Sequence, residues 1–351
     1  MVWATGAVGR AALHEIIGDS RYELVGVRVY SADKVGVDAA DLCGRSDPTG
    51  VTATDSTDTI VDLGADVILH AASKAHPHDS NLDDICRLLS SGSDVITTTS
   101  YAHLETCGPQ TRSAILEACA AGHSRFHAAG ENPGFMFERL VATATGLVST
   151  VDRIELFEAT DVSGVSSLPM LTDLMGMGRP PEEVEADAPV LATLDLAYRQ
   201  ALAATADVFR VDLDEITLSV ENTTIDRDLT VSAGVIRAGT VVGRRFSWTA
   251  SRGGSPLLAI HEEWVLTRDL PQWGLRPLAV GEKAPLIRAV IHGVPSIELQ
   301  LDVGYDDVPP GLAGTLPGHL MIAMTAVRAI DDVRASEPGV VVAPVFGAIK
   351  L

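Results

Sequence analysis

The sequence predicts an α/β protein of two domains, a doubly wound parallel sheet followed by an α+β domain with an open mixed sheet. Three observations support this prediction. The chain has 351 residues, which is more than one small hydrophobic core accommodates. Short apolar runs alternate with amphipathic stretches up to about residue 130. Between residues 215 and 303 the pattern changes to successive strands that alternate apolar and polar side chains.

The N-terminal domain is predicted from the order of its elements. Valine-rich and other apolar runs predict strands, and they lie at 22–30, 65–73, 93–100 and 125–135. Helix-like segments lie between them at 82–92 and 108–122, and the second one ends at Gly122. Strands that alternate with helices pair in parallel through right-handed crossovers, so we expect a doubly wound sheet here.

The C-terminal part has a different pattern. A predicted helix at 137–148 precedes a strand at 153–160 and an acidic helical region at 180–208. In the strands that follow, alternation such as that of 245–249 indicates a sheet with one covered face and one wetter face. Such a face is a candidate for dimerisation or for facing a cleft. The tail 318–335 has the pattern of an amphipathic helix.

Charge and cysteine content exclude several classes of partner. The formal net charge is −21, which argues against nucleic acid or a membrane surface but leaves room for an anionic cofactor held by local backbone dipoles. The 4 cysteines form no CxxC pair and match no zinc spacing, so we expect no metal site. We find no signal peptide and no apolar run of about 18 residues, so we expect a cytoplasmic protein with reduced thiols.

The first turn of the chain matches a dinucleotide-binding motif. Residues 4–9 read ATGAVG, which fits GxGxxG with alanine at the first position. In this motif Gly6 lets the backbone approach a diphosphate and Gly9 lets the helix pack closely on the strand, while the helix N-terminus points N–H groups at the phosphates. Its place at the start of a strand–helix–strand unit predicts a Rossmann NAD(P)-binding domain. The expected contacts are Thr5, Gly6, Ala7, Val8, Gly9 and Arg10.

Residues at the end of the next strand bear on the choice of cofactor. An enzyme that selects NAD usually places an acid there for the ribose 2′-hydroxyl, and Asp33 fits that role. Arg28, Ser31 and Lys34 fit a 2′-phosphate instead. We therefore expect NADP, with NAD as the alternative, and we include Tyr30 among the cofactor contacts.

Two further strand ends lie where ligands of open α/β sheets bind. The small residues Ala71 and Ala72 permit a close approach of the cofactor, and His70 beside them is either a contact or a buried structural histidine. Thr98 and Thr99 end the following strand at the same edge of the sheet.

Several segments together carry a resemblance to a known family, over nearly the whole chain. They are VWATGAVGR, VYSADKVGVDAADLCG, DVITTTS, GENPGF, AGTVVGRRFSWTA, HGVPSI and AMTAVRAIDDVRASEPGVV. With these segments the chain resembles the 2,4-diaminopentanoate dehydrogenase and native amine dehydrogenase family. That family is itself similar in its first half to dihydrodipicolinate reductase.

The resemblance implies hydride transfer between NAD(P)H and a small carbonyl, imine or amine substrate, as in reductive amination or its reverse. It also implies a homodimer through the C-terminal sheet and a final helix that returns to the nucleotide domain. The expected domains are therefore 1–135 (Rossmann), 136–315 (substrate and dimerisation) and 316–351 (C-terminal helix and tail). Asn132 and Pro133 would contact the nicotinamide ribose or carboxamide, although Asn-Pro-Gly is also plain turn chemistry.

The chain departs from this family at the catalytic position. Amine-dehydrogenating members have an acidic residue after the strand that reads DVITTT here, and this chain has Ser100 and Tyr101, with His103 close behind. The paired His-Lys motif of dihydrodipicolinate reductase is also absent. Tyr101, aided by His103, is one candidate proton donor, with mere lining of the cleft as the alternative. Glu131 is the rival candidate, with an interdomain salt bridge as its alternative role.

The substrate pocket is expected to include Ser100, Phe135, Asp161 and His261. Two other functions stay open at this point. One is a ketone or cyclic-imine reductase that does not use ammonia, which the replaced carboxylate favours. The other is a non-catalytic NADP-binding dimer.

Overall fold

The computed structural model describes residues 1–73, 78–184, 189–277, 285–304 and 308–351. Contacts within the chain divide it into two compact units. Unit 1 comprises Met1–Arg139 and Tyr305–Pro344, and unit 2 comprises Leu140–Gly304 and Val345–Leu351. The structure confirms an α/β fold with a parallel Rossmann-like sheet and a separate mixed sheet.

Unit 1 contains a seven-stranded sheet in the order β15-β6-β5-β4-β1-β2-β3. All of its strand pairs are parallel. The strands are β1 (Val2–Trp3), β2 (Val27–Arg28), β3 (Ala53–Thr54), β4 (Val67–His70), β5 (Asp94–Thr97), β6 (Arg125–Ala128) and, from the far end of the chain, β15 (Gly339–Val340).

Helices cover both faces of this sheet. They are α1 (Ala7–Gly18), α2 (Ala39–Cys43), α3 (Thr57–Asp62), α4 (His78–Ser90), α5 (Pro109–Gly122), α8 (Pro317–Arg328) and α9 (Ile330–Ala335). Neighbouring strand residues point to opposite faces: Val2 lies in the core under α1 and α8, and Trp3 lies in the core under α4 and α5. Burial on both faces explains why the strands read as continuous apolar runs.

Three elements of unit 1 differ from the sequence-based expectation. The predicted strand 22–30 pairs only at Val27–Arg28, because its neighbour β1 offers only two residues for pairing. The predicted helix 318–335 is interrupted at Ala329, between α8 and α9. Residues after Pro344 group with unit 2 and not with unit 1.

Unit 2 contains a six-stranded mixed sheet in the order β14-β13-β7-β12-β11-β8. β7 and β12 pair in parallel and the other neighbours are antiparallel. The strands are β7 (Thr150–Asp161), β8 (Glu215–Thr224), β11 (Val241–Arg252), β12 (Ser255–Val265), β13 (Pro285–Val294) and β14 (Ile297–Asp302), beside a separate hairpin of β9 (Leu229–Val231) and β10 (Gly234–Ile236).

Helices α6 (Ala142–Ala144) and α7 (Pro189–Phe209) complete unit 2. A π-helical turn, Met136–Val141, precedes α6. α7 packs on β11 and β12. Trp248 of β11 donates its indole N–H to Asp195 of α7 at 2.9 Å. Because strand side chains alternate between the two faces of a sheet, the even-numbered side chains of β11 face α7. Among the described residues, we see no helix both long and apolar enough to cross a bilayer.

Candidate functional site

Unit 1 has a cavity of about 530 Å³ at the carboxyl edge of its parallel sheet. Its walls come from the turns after β1, β2, β4 and β5, and from α8. This edge is where ligands of open α/β sheets bind. The lining residues are Ala4, Thr5, Gly6, Ala7, Val8, Tyr30, Ser31, Lys34, Ala71, Ala72, Ser73, Thr98, His319 and Ile322.

The N-terminus of α1 opens into this cavity. Gly6 is the N-cap residue, with extended backbone and no side-chain cap. The first helical hydrogen bond runs from Arg10 N–H to the Gly6 carbonyl at 2.8 Å, so the amides of the first turn have no acceptor within the helix. A Cβ built at Gly6 would meet no atom within 4 Å. The turn therefore offers free N–H groups and open room to an anion.

Close packing of α1 on the first strand requires glycine at position 9. A Cβ at Gly9 would lie 2.0 Å from the Ala4 carbonyl oxygen and 3.7 Å from the Ala71 Cβ. Ala4 occupies the place of the first glycine of the motif and has a φ of 72°. It therefore adopts the left-handed conformation that a glycine would adopt without steric cost.

The turn after β2 contributes a cation to the cavity. The Lys34 ammonium donates to the carbonyl and to the hydroxyl of Thr5, each at 3.2 Å. Ser31 and Tyr30 line the cavity beside it. Arg28 does not line it: its guanidinium lies over the rings of Trp3 and Tyr30, at 5.3 and 4.5 Å, and bonds the Val29 carbonyl. The Arg28 cation thus packs against aromatic faces, and its contact with a 2′-phosphate stays a prediction.

Six other residues expected as cofactor contacts are not among those that line this cavity: Gly9, Arg10, His70, Thr99, Asn132 and Pro133. Arg10 donates to the carbonyls of Leu42 and Gly311, at 3.1 and 3.3 Å, and so ties α1 to neighbouring loops. His70 is fully buried, with Nδ1 3.0 Å from the Thr97 hydroxyl, and burial lowers its pKa to about 3. His70 is therefore neutral, and its Nε2 has no hydrogen-bond partner among the described residues. The Thr99 hydroxyl forms a hydrogen bond with the Thr97 hydroxyl at 2.7 Å.

The two residues first suggested as proton donors lie in the core of unit 1 and in the loop that follows β5. Tyr101 is 1% exposed and belongs to the core under α4 and α5, where its ring meets Phe126 edge-on at 6.4 Å. His103 lies in the following loop, with Nδ1 2.7 Å from the Thr106 hydroxyl and Nε2 3.7 Å from Glu105. Ser100 is buried and accepts a hydrogen bond at its carbonyl from the Cys107 thiol. These contacts give the catalytic hypothesis for Tyr101 and His103 no added support.

The loop after β6, GENPGF at 130–135, is tightly packed at the same edge of the sheet. A Cβ at Gly130 would lie 2.2 Å from the Pro133 carbonyl oxygen, and Gly134 has a φ of 123°. The Glu131 carbonyl accepts from the amides of Phe135 and Met136, at 3.2 and 2.9 Å, and its side chain is 7% exposed. The Asn132–Pro133 peptide bond is cis. The Arg139 guanidinium lies 5.0 Å from the centre of the Phe135 ring.

Glu138 is a buried carboxyl that the sequence analysis missed. Its Oε1 accepts the Gly134 amide at 2.9 Å, and Oε2 has no hydrogen-bond partner among the described residues. Burial raises its pKa to about 7. The sequence signal for this contact was Glu138 itself, an acid four residues after Gly134 at the start of a helical segment. A side chain at such a position can accept a hydrogen bond from the backbone amide that precedes it.

Two expected pocket residues belong to unit 2. Asp161, at the end of β7, is exposed and accepts the Ser163 amide at 2.9 Å. His261 lies on the sheet face opposite α7, where it stacks on Phe157 at 4.5 Å, and its Nδ1 lies 2.7 Å from the Ser247 hydroxyl. The imidazoles of His261 and His292, with His261 contributing most, lower the pKa of Glu155 to about 2.

The face of unit 2 under α7 holds a second buried carboxyl. Glu262 accepts from the Tyr198 hydroxyl and the Trp264 indole, each at 2.7 Å, and from the Thr160 hydroxyl at 3.1 Å. Burial, with the nearby charge of Glu158, raises its pKa. Within the described ranges, no group of three or more His, Cys, Asp and Glu side chains is arranged to hold a metal ion.

Comparison with known proteins agrees with this architecture. No family model matches the chain. It is 29% identical over 344 residues to a Streptomyces virginiae protein named amine dehydrogenase, covering 97% of this chain and 93% of that one. Its fold is similar to the amine dehydrogenase from Mycobacterium smegmatis, with a TM-score of 0.65 and 18% identity over 97% of this chain and 93% of the other. It is also similar to a probable dehydrogenase from Thermotoga maritima, with a TM-score of 0.56 and 11% identity over 96% and 89%.

Proposed function

We propose that the protein is an NAD(P)H-dependent oxidoreductase that transfers hydride to or from a small carbonyl, imine or amine, in the manner of an amine dehydrogenase. The observation that carries the proposal is the uncapped N-terminus of α1 at a cavity of about 530 Å³, with open space where Gly6 lacks a Cβ. The amine dehydrogenase name of the relative at 29% identity supports the reaction class.

A nicotinamide dinucleotide fits the residues of this cavity. The amides of Ala7 and Val8 would bind the diphosphate, because they lie in the uncapped first turn. Lys34 and Ser31 line the same cavity and would bind a 2′-phosphate, which supports NADP over NAD. When bound, the nicotinamide supplies the hydride chemistry, and the chain supplies binding, orientation and a proton.

Glu131 is our candidate for the proton. It is a buried carboxyl in the loop at the carboxyl end of β6, and two backbone bonds to its carbonyl hold that loop in place. Since the position after β5 carries Ser100 and Tyr101, Glu131 would take over the role of the family's missing acid. Glu131→Gln keeps the shape and removes the proton, so it should lower kcat by about 10²-fold or more and leave dinucleotide affinity unchanged.

The experiment that tests the proposed function has two stages. NADPH and NADH are first titrated against the protein by fluorescence, and binding of neither at millimolar concentration would refute the proposal. Reduction of a panel of small ketones and aldehydes is then measured with and without ammonium. Ammonium-dependent amine formation supports the amine dehydrogenase reaction, whereas ammonium-independent alcohol formation would replace it with ketone reduction. Binding without turnover of any panel member contradicts the catalytic part.

We also propose that unit 2 forms a homodimer through the sheet face opposite α7. This face carries charges of both signs, including Arg153, Glu155 and Arg288, and the half-buried ring of Phe157 beneath Arg288. Light scattering should give twice the chain mass, and Phe157→Asp should reduce it to one chain mass. A monomeric wild type would contradict this assembly.

A further inference from the structure

The dinucleotide cavity has a wall that comes from the far end of the chain. His319 and Ile322 of α8 line it together with Gly6, Ala7 and Val8. α8 packs against α1, and Ala323, Ala326 and Val327 belong to the same core as the buried face of α1. Helix packing therefore fixes the position of His319 relative to the amides of the first turn.

Among the described residues, no carboxylate pairs with His319. Its backbone N–H bonds the Leu316 carbonyl at 3.0 Å in the first turn of α8, and the residue is half-buried at the cavity wall. Burial lowers the pKa of His319, and no charge of a described residue contributes to that change. The imidazole is accordingly neutral near pH 7 while the cavity holds no anion.

Charged and titratable groups that the structure describes on α1 and on the cavity wall have partners of their own. On α1, Arg10 bonds two backbone carbonyls, His14 bonds the Cys43 carbonyl at 3.1 Å, and Glu15 pairs with Arg328 of α8 at 2.7 Å. On the cavity wall, Lys34 bonds Thr5, and the Tyr30 hydroxyl accepts from the Trp3 indole at 2.9 Å. None of these contacts supplies a negative charge to the imidazole.

We propose that His319 binds the diphosphate of the dinucleotide as an imidazolium, taking up one proton from solvent as the cofactor binds. This inference rests on the proposed function. A diphosphate carries two negative charges, and at hydrogen-bonding range in a half-buried site it favours the charged form of histidine. The cavity then holds the anion between the amides of α1 and a cation that exists only when the anion is present.

The test is calorimetric titration of the protein with NADH at pH 7 in two buffers of different ionisation enthalpy. NADH is the probe because it has no 2′-phosphate, so proton exchange reports on the protein. The dependence of the measured enthalpy on buffer should correspond to an uptake of more than about half a proton per NADH. NADH affinity should fall by about tenfold between pH 6 and pH 8, as His319 becomes harder to protonate.

His319→Gln is the test variant, and His14→Gln is the matched control on α1, outside the cavity. His319→Gln should bind NADH with no proton uptake and a flat pH profile, whereas His14→Gln should behave like the wild type. His319→Asn is a second variant in case the first unfolds, which a thermal melt detects. Wild-type binding without proton uptake, or uptake that persists in both His319 variants, would overturn the inference and leave the proposed function intact. Absence of NADH and NADPH binding would overturn both.

Discussion

The Cβ that Gly9 lacks would lie 2.0 Å from the carbonyl oxygen of Ala4. No rotation of a flexible side chain relieves that contact, because both groups belong to the backbone framework of the first strand and α1. Gly9→Ala should therefore lower the free energy of unfolding by about 1–3 kcal/mol, the usual range for overpacking. Urea denaturation measures this loss, and an unchanged midpoint would contradict it.

Gly6→Ala is the matched contrast, because its Cβ would enter open space. Gly6 has a φ of −69°, which alanine also adopts. We expect stability to change by less than about 0.5 kcal/mol, the usual limit for a substitution away from such features. Affinity for NADPH should fall by about tenfold or more, since the added methyl group occupies the approach to the diphosphate. Fluorescence titration measures the affinity, and unchanged binding would place the cofactor elsewhere.

Lys34 lies in the cavity with its ammonium 3.2 Å from the Thr5 carbonyl and hydroxyl oxygens. If it binds a 2′-phosphate, Lys34→Met should weaken NADPH binding by about 10- to 100-fold, in line with a charge-assisted hydrogen bond. NADH binding should change by less than about threefold, since NADH has no such phosphate. The ratio of the two dissociation constants checks this prediction. Equal losses for both cofactors would assign Lys34 to the diphosphate or to the turn itself.

Glu138 should make the protein less stable as pH rises. Its folded pKa is about 7, above its ordinary value of 4.5, so between these values the folded protein holds a proton that the unfolded chain has released. Stability from this carboxyl is thus present below about pH 4.5 and is lost as pH rises through about 7, by up to about 3 kcal/mol.

Glu138→Gln isolates that contribution, because the amide oxygen still accepts the Gly134 N–H and cannot ionise. Urea denaturation at pH 5 and pH 8 compares variant and wild type. From pH 5 to pH 8, the free energy of unfolding of the variant should rise relative to that of the wild type by about 2–3 kcal/mol. Parallel profiles would mean that Glu138 ionises at its ordinary pKa.

Glu262 accepts hydrogen bonds from Tyr198, Trp264 and Thr160 under α7. Because burial raises the pKa of Glu262, its carboxyl holds its proton more readily than that of an exposed glutamate. A protonated carboxyl is uncharged, as is the amide of glutamine. Glu262→Gln should therefore cost less than about 1 kcal/mol at pH 6, whereas Glu262→Ala should cost about 3 kcal/mol by stranding buried donors and leaving a void. Thermal and urea denaturation of both variants would show the difference. Equal losses would contradict a protonated carboxyl.

Local sequence patterns predicted the parts of the molecule that local geometry determines. The glycine spacing from Ala4 to Gly9 predicted a strand, a tight turn and a helix N-terminus, because only glycine fits the close contact of Gly9. Strand and helix order predicted the parallel sheet. The predicted length of β2 was wrong, because strand pairing depends on the neighbouring strand β1, which has only two residues, and not on the β-propensity of residues 22–30.

Residues whose surroundings come from distant parts of the chain were harder to predict. Tyr101 stood next to an expected catalytic position, yet its ring packs against Phe126 in the core. The position of Arg28 after β2 suggested a contact with a phosphate, and in the structure its guanidinium lies over the rings of Trp3 and Tyr30. His319 was not considered, because it reaches the cavity only through packing of α8 on α1, about 300 residues apart in sequence.

That packing has a consequence for biosynthesis. α1 leaves the ribosome before α8, and most of unit 2 is translated between them. The nascent chain therefore exposes the glycine turn long before α8 supplies its wall of the cavity. Because α1 and α8 belong to the same unit but lie about 300 residues apart in sequence, we expect their contact to form late in folding. Newly made protein should therefore retain little dinucleotide until α8 has been translated and has packed on α1.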